Sequence, residues 1–588
     1  MSRSLSFTMF LPIMVGIISA TASYYWARDV LLIIFLLLAS TVFAVLSRSG
    51  GSRRDALFMT LIMVTSVGLL MSSTSISDNL HGWDIHEEFA IFTEVSRSGV
   101  WRGELNPTGS PLHNLYTSTL SISILPVILS LISGLDGFRV FMFVFPLVFS
   151  IAPLILYVIN RKILPPEGAF LSVFLFVSYP AFYLDLIQLA REAIAEIMLL
   201  LLLWLLLSPK LMQRRSTLAA ILLLTIGIAI SHYSLAFLYV ALLAFSFALS
   251  RISRRVAALP SLNVFLLAGV VVLSWYLLVA GGSAINVVSE FTSYVIQGLL
   301  RDFLNPGTRP SVVNQALGLA YVTPGLLHDL NRFTQYFVQF AMLLGFGFLA
   351  LKKKKNTTER TVALLMVFGF LLLGSAIILP RFGAGLEFSR FYHISLILIS
   401  SCFAIGTQMV ISFGQRLVRK LGFHATRLSL PVSSPRLLGA TILFSYLLFT
   451  SGWVWAVSMD SPISLILDRD RMLNDPSSQR SYYSELTVSQ DVAAARWLGS
   501  RVASGRSVCA DYISRSHVLT SYGGFSSNQP ELPSECEFRL YIYLSVLNTR
   551  YGIGAGEHNR WDISEISPEL IAKNRICSNG GAVIYVSP

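Results

Sequence analysis

The chain has 588 residues, 54% of them hydrophobic and only 13% charged, with a mean hydropathy of +0.65. A soluble domain carries about 25% charge, so this composition excludes one and describes an integral membrane protein. The net charge of +12 does not mark a nucleic-acid binder, because Lys and Arg gather in short segments between apolar runs, the pattern of a membrane-orientation signal.

The N-terminal MSRSLSF and the apolar run behind it have the charge of a signal peptide, but no cleavage site follows and a second apolar run begins almost at once. The expectation is a retained first helix. A membrane helix needs about 20 mainly apolar residues, and about 13 segments qualify. They are 7–25, 28–47, 55–73, 139–158, 167–182, 191–208, 216–231, 233–250, 262–281, 333–351, 360–380, 391–413 and 436–457. A further segment, 115–133, is apolar but rich in Ser and Thr and interrupted by Pro126.

Charge decides how to treat that segment. If it lies along the interface, one side of the membrane receives the basic clusters at 48–54, 161–162, 210–215, 251–255, 352–360 and 416–436. The short loops opposite keep chiefly Arg28, Arg381 and Arg390. The positive-inside rule then puts the N-terminus in the cytoplasm and removes 115–133 from the set of spans. The predicted organisation is a transmembrane domain over 1–457, with large external loops at 74–138 and 282–332, and an extracytoplasmic domain over 458–588. The tail mixes helix-like DVAAARWLGSRV with strand-like SVCADYI, RLYIYLSV and AVIYV, which predicts a small α/β domain. Of the four cysteines, Cys402 lies in an apolar span, while Cys509, Cys536 and Cys577 allow at most one bridge, whose partners stay open.

The first external loop holds HGWDIHEEF at 81–89. In DIHEEFAIFTEV, Ile85, Phe89 and Phe92 form one apolar stripe, with Asp84, Glu87, Glu88 and Glu94 facing away. That pattern predicts a helix on the bilayer surface with its acids toward water or a cleft. Asp84 and Glu87 also fit a capping box, a purely structural role that is compatible with the first. The zinc-protease motif fails, since a second His would be needed at Ala90. A divalent ion such as Mg or Mn, held by Asp84, His86 and Glu88, stays open, but no second ligand motif accompanies them.

The next external turn, FYLDLIQLAREAIAEI, brings Asp185, Arg191, Glu192 and Glu196. Glu192 and Glu196 share a helical face, and Arg191 can pair with a neighbouring acid. A charge inside a membrane helix costs about 2.5–3.5 kcal/mol, so such groups line a cavity, unless they only snorkel from a helix end. SHYS puts His232 and Tyr233 in a tight turn on the same side as both acidic segments. The last external turn, PRFGAGLEFSRFYHISL, crowds Arg381, Glu387, Arg390, Tyr392 and His393 at the start of an apolar span. An arginine fork at headgroup depth suits the oxygens of a lipid-linked phosphate; the structural alternative is an interfacial Arg–Tyr anchor.

Taken together, GWDIHEEF, YTSTLSISILP, AREAIAEI, SHYS and SRFYHISL resemble prokaryotic, notably archaeal, predicted members of the GT-C superfamily, and the tail ending SNGGAVIY shares that look. The resemblance covers the membrane portion and implies a multi-pass α-helical glycosyltransferase that uses a polyprenyl-phosphate-linked sugar and a glycan, lipid or protein acceptor. It points to Asp84 as the general base, with His86 or Glu88 orienting the acceptor. Arg390 would bind the phosphate with help from Arg381 and His232. The remaining candidates, Glu87, Asp185, Arg191, Glu192, Tyr233 and His393, would contact substrate, and direct displacement would invert the anomeric centre. The pattern departs in one respect: offshoots of the superfamily carry acids spaced by one residue, and here His86 stands two after Asp84. That puts an obligatory metal in doubt. Two alternatives remain, a lipid-linked glycan polymerase, ligase or oligosaccharyltransferase, and a transporter or flippase. The second is disfavoured because no internal repeat is present and the charges gather at one face.

Overall fold

The computed structural model describes residues 53–102, 111–252, 262–316, 323–352, 356–420, 435–460, 464–502, 507–534, 536, 541–557 and 559–587. The expected spans 7–25 and 28–47 lie outside them, as do 103–110 of the first external loop and 317–322 of the second.

Seven helices among the described residues are long and apolar enough to cross a membrane: Arg54–Thr74, Gly137–Asn160, Tyr233–Ile252, Leu262–Val279, Leu326–Leu351, Thr357–Ile378 and Phe388–Arg416. The pair Pro166–Ser178 and Ala181–Gln188, bent by 57°, is long and apolar enough to be an eighth when its two helices are taken together, as a broken span or a re-entrant loop. The bend has a local cause. Tyr179 precedes Pro180 and sits at φ −78°, ψ 130°, the extended region into which a following proline ring forces its neighbour. The expected spans 191–208, 216–231 and 436–457 correspond to the shorter helices Ala190–Leu206, Arg215–Ser231 and Pro435–Thr450. Segment 115–133 is not one helix. It falls into the short helices Pro111–Thr117, Leu120–Ser123 and Leu125–Ser133, broken where Ser, Thr and Pro126 interrupt the apolar run.

The helix Phe388–Lys420, which carries Arg390 and His393 at its start, is the most embedded of the spans, with 78% of its apolar window buried. Gly345 and Gly406 explain how it gets there. A Cβ on Gly345 would collide with the Cys402 carbonyl, and one on Gly406 with the Ala341 carbonyl. The two helices therefore cross backbone against backbone, as small residues allow in lipid. The first-loop helix Asp84–Ser98 rests on a separate core in which Ile85, Ile91 and Phe92 meet Phe141 and Phe145.

The C-terminal region contains a four-stranded sheet in the order β1-β2-β6-β5. Its strands are β1 (Val508–Cys509), β2 (Tyr541–Leu544), β5 (Asn574–Ser578) and β6 (Val583–Val586); β3 (Ile553–Ala555) and β4 (Arg560–Asp562) form a separate hairpin. β1 and β2 are parallel, whereas β6 runs antiparallel to both of its neighbours. The helix Ser489–Gly499 covers this sheet through Val492, Ala495 and Leu498. The three expected strands are present. β5 and the hairpin were not expected, because NRICS and RWD are polar and exposed at the margin of the region. The disulfide joins Cys509 to Cys536, which leaves Cys577 free.

This region grips the stretch just ahead of Asp84. Leu80 N donates to Tyr522 OH (2.8 Å), Gly82 N to the Glu485 carbonyl (2.7 Å) and Trp83 Nε1 to Glu485 Oε1 (3.0 Å). His517 stacks on His86 with centroids 4.6 Å apart and meets the Trp83 ring edge-on at 4.7 Å. Burial holds His517 neutral, with its pKa down at about 3, and His81 nearby at about 4.

A pH test follows from His517. Unfolded, the imidazole takes a proton near pH 6.5; folded, it refuses one until about pH 3. The unfolded chain thus binds more protons in that window, and stability falls as pH drops below 6.5. Thermal unfolding in detergent at pH 7.5 and 4.5 should show a larger acid loss in the wild type than in H517Q, by up to about 1.4 kcal/mol per pH unit. Equal losses in the two proteins would show that His517 is not held neutral.

Candidate functional site

Two turns bring distant residues together. Gly82 sits at φ +101°, open to a residue without a side chain, and a Cβ there would run into Gln188. The close approach lets Trp83 N donate to Gln188 Oε1 and starts a new helix at Asp84. Across from it, the bend at Pro180 ends at Leu189, and the helix Ala190–Leu206 begins with Arg191 and Glu192 in its first turn.

Arg191 is the hub. Its guanidinium donates through Nη2 to Asp84 Oδ2 (2.7 Å) and through Nη1 to Glu88 Oε1 (3.0 Å). Asp84 and Glu88 are four residues apart, so one helical face presents both carboxylates. Tyr116 closes the clamp, with its ring 4.0 Å from the guanidinium carbon and its hydroxyl 3.0 Å from Nη2. The second oxygen of Glu88 accepts from Ala190 N (3.0 Å), so this carboxylate also caps the helix that carries Arg191. Arg191 and Glu88 have only 2% and 0% of their side chains exposed, whereas Asp84 keeps 32%. Glu88 is fixed in place; Asp84 is reachable.

A second arginine faces the same acid. Arg390 Nη1 lies 3.8 Å from Asp84 Oδ2, while its Nη2 pairs with Glu192 Oε2. His232 Nε2 stands 3.7 Å from that Glu192 oxygen, and its Nδ1 accepts from Leu235 N (3.3 Å), which leaves the proton of a neutral ring on the Nε2 side. Tyr233 packs beside it, with ring centroids 5.4 Å apart. One helical turn deeper, His393 Nε2 is 3.2 Å from Glu196 Oε2. Asp185 lies within electrostatic reach of Arg390, His393 and Glu192.

The site candidates thus divide. Asp84, Glu88, Arg191, Glu192, His232 and Arg390 form one network, bordered by Tyr233, Asp185 and His393. Three others stand outside it. His86, on the opposite face of its helix, is fully buried against Ser521 Oγ (2.9 Å) and Thr487 Oγ1 (3.4 Å), and burial pushes its pKa well below the usual range. It joins the first loop to the C-terminal region and does not face Asp84. Arg381 pairs with Asp302 and lies 4.6 Å from the Tyr294 ring, bracing the helix Ser283–Arg301. Glu87 faces His113 (3.4 Å), and the expected capping box does not form, since the N-cap is Trp83 and no side chain caps there. Tyr116, in the quoted YTSTLSISILP, was not singled out; its hydroxyl at the start of a broken apolar segment was the available signal.

A divalent ion does not fit this arrangement. Among the described residues no three His, Cys, Asp or Glu side chains converge as metal ligands, and Asp84, Glu88 and Glu192 each already face a guanidinium. The divalent-ion reading of Asp84, His86 and Glu88 fails on geometry, because His86 points away from the other two.

Residues 219–585 match the family model described as "Predicted membrane protein (DUF2206)". No curated protein sequence matches the chain. Among solved structures, the chain is similar to the oligosaccharyltransferase of Archaeoglobus fulgidus. With a tethered acceptor peptide that structure gives 13% identity, 84% of this chain, 70% of that one and a TM-score of 0.48. In the apo form it gives 14% identity, the same coverage and a TM-score of 0.47. The chain is also similar to ArnT from Cupriavidus metallidurans bound to undecaprenyl phosphate, at 11% identity over 91% of this chain and 99% of that one, with a TM-score of 0.44.

The unequal burial of the two acids has a measurable consequence. E88L strands the buried Arg191 and uncaps Ala190, and should cost about 3–5 kcal/mol of stability. D84N keeps a hydrogen-bond acceptor at a partly exposed position and should stay within about 1 kcal/mol of the wild type. Denaturation of the purified variants in detergent checks the difference, and comparable losses would contradict the assignment of Glu88 as the structural member.

Proposed function

The chain belongs to the DUF2206 family of membrane proteins, and from that starting point we propose that it is a glycosyltransferase. It moves sugar from a polyprenyl-phosphate-linked donor to an acceptor at the extracytoplasmic membrane face. The observation that carries this reading is Asp84: one partly exposed carboxylate, with 32% of its side chain accessible, lying between two arginines at 2.7 and 3.8 Å. Sugar transfer from a lipid phosphate needs a carboxylate to take the acceptor's proton and cations to stabilise the departing phosphate, and this arrangement supplies both within one contact. The resemblance of five motifs to the GT-C superfamily supports the same reading.

In the mechanism, Asp84 removes the acceptor hydroxyl proton as that oxygen attacks the anomeric carbon from the face opposite the phosphate. The configuration inverts, and the C–O bond to phosphate breaks with its electron pair on the phosphate oxygen. Arg390 binds that phosphate; its planar fork suits two oxygens and does not lose its charge. Arg191, fully committed to Asp84, Glu88 and Tyr116, positions the base. Asp185 faces the sugar or acceptor, and His232 borders the phosphate. The basic clusters between the spans support a cytoplasmic N-terminus and an outer C-terminal region.

Transfer of label from a radiolabelled polyprenyl-phosphate sugar, assayed in membranes, tests the roles. D84N should fold and bind lipid phosphate yet transfer at least about 100-fold more slowly; full activity would remove Asp84 as base. R390Q should lose donor binding about tenfold or more, while R381Q, whose residue braces Asp302, should not. Equal losses would return Arg381 to the phosphate site.

A further inference from the structure

Both arginines at the site already hold anions. Arg191 is spent on Asp84, Glu88 and Tyr116, all within 3.0 Å. Arg390, the group that would take the donor's phosphate, instead carries Glu192 on Nη2 and approaches Asp84 with Nη1. A carboxylate on a guanidinium has the same bidentate chemistry as a phosphate on it, two oxygens against two N–H groups.

Several atoms around this pair have no hydrogen-bond partner among the described residues. They include Glu192 Oε1, Arg390 Nε and His232 Nε2, all buried. Buried polar atoms in a folded protein are normally satisfied, and here the orphans sit on both members of one ion pair and on the imidazole beside it, with Arg191 Nε also unmatched, which leaves this pair capacity for a second partner. The second arrangement is visible in outline. Glu192 Oε2 is shared, in direct contact with Arg390 on one side and 3.7 Å from His232 Nε2 on the other. His232 cannot turn away to solvent, because it is buried and its Nδ1 is held by Leu235 N. A small rotation of the Glu192 side chain trades the guanidinium for the imidazole.

We propose that Glu192 is an internal stand-in for the donor's phosphate: it occupies Arg390 in the empty enzyme and hands that arginine to the lipid phosphate by shifting onto His232. This deepens the transferase reading and rests on it. No covalent step is involved; one ion pair is exchanged for another, and the departing carboxylate meets an N–H. The device answers a physical problem. An arginine left unpaired in so dry a place would carry a heavy desolvation penalty, about several kcal/mol for a buried ion, and the stand-in removes it until substrate arrives. The same exchange returns Glu192 to Arg390 after transfer and so helps expel the lipid phosphate product. Glu192 is therefore a positioning residue, acting through Arg390.

The groups facing Glu192 are Asp84 from the first-loop helix, Arg191 and Glu196 from its own helix, Asp185 from the preceding turn, His232 from the adjoining turn, and Glu387, Arg390 and His393 from the last span and its approach. None but Arg390 offers Glu192 a cation in direct contact.

The test is binding of a polyprenyl monophosphate in detergent micelles to the purified full-length protein, alongside steady-state transfer. E192Q keeps the side chain's shape but gives up its charge, so the lipid phosphate no longer competes with a carboxylate. Its Kd should fall about tenfold, equivalent to about 1.4 kcal/mol. Its kcat should fall too, because product leaves slowly, so KM and kcat drop together. E192D, which draws the carboxylate back by one methylene, should bind with intermediate affinity. Unchanged or weaker binding in both variants, at the wild-type unfolding temperature, overturns the stand-in role while leaving the transferase reading intact. If the wild type itself binds no lipid phosphate, both fall.

Discussion

A guanidinium with only 2% of its side-chain area exposed among apolar helices demands partners, and in this fold that demand organises the residues around Asp84. Arg191 finds them in two carboxylates one turn apart on the first-loop helix and in the ring and hydroxyl of Tyr116. Removing the buried partner, Glu88, leaves a charge in a dry place, a heavier loss than the pair's own attraction would suggest. The consequence reaches beyond the pair. The helix Asp84–Ser98 buries Ile85, Ile91 and Phe92 in an apolar core, and Arg191 holds Asp84 and Glu88 on another face. That placement decides which acid is consumed and which one stays reachable. Glu88 faces inward and is used up; Asp84, at the helix start, faces the same arginine yet keeps access to solvent.

Much of this was legible in the sequence because membrane segments tolerate so few charges. Acids and arginines at Asp84, Arg191, Glu192, His232 and Arg390 stood out against an apolar background, and the positive-inside pattern put them on one side before any contact was known. Their assembly around a shared carboxylate followed from that one-sidedness. Finer roles were not legible. The apolar stripe of Ile85, Phe89 and Phe92 suggested that all the acids of the helix face away from the core together, but a helix wedged between two layers has more than one buried face. His86 and Glu88 are both buried, on different faces and for different partners. Arg381, nine residues before Arg390 in PRFGAGLEFSRF, was expected to help it at the phosphate. What separates them is Asp302, 79 residues earlier in the chain, which nothing local reveals.

The C-terminal region shows the same limit at a larger scale. Its helix and three of its strands could be read from pattern, since YIYL and VIYV are short runs of β-branched and aromatic residues and the helix spaces its apolar residues by turns. Its docking surface could not. Glu485, Thr487, His517 and Ser521 meet Trp83 and His86 some 400 positions earlier, and none of them has a local pattern that sets it apart from ordinary polar residues. The contact matters for the site because it fixes the backbone immediately before Asp84. Glu485 takes the Gly82 N–H and the Trp83 indole, while Gln188 takes the Trp83 N–H from the other side. Asp84, which begins its helix, is thus set from two directions, by the C-terminal region and by the turn that holds Gln188.

The two ends of the membrane helices differ in how their arginines are used, and that difference is itself functional information. At the end away from the site, Arg161 spends Nε and Nη2 on Asp55 and Nη1 on the Leu164 carbonyl, while Tyr157 adds its hydroxyl to the same Asp55. Lys162 is likewise tied to Ser208 and the Leu207 carbonyl. These contacts pin the ends of neighbouring helices together. At the Asp84 end the bookkeeping is left open, with donors on Arg390 and acceptors on Glu192 that meet nothing. An unmatched Nε alone does not set Arg390 apart, since Arg54, Arg191, Arg480 and Arg515 leave theirs unmatched too; what sets it apart is that its partner Glu192 also keeps a buried oxygen unmatched, beside the unmatched Nε2 of His232. Such orphans are costly in a buried place, and on the proposed reading the donor's phosphate offsets that cost. That phosphate is an anion with several oxygens, brought to a carboxylate that stays accessible.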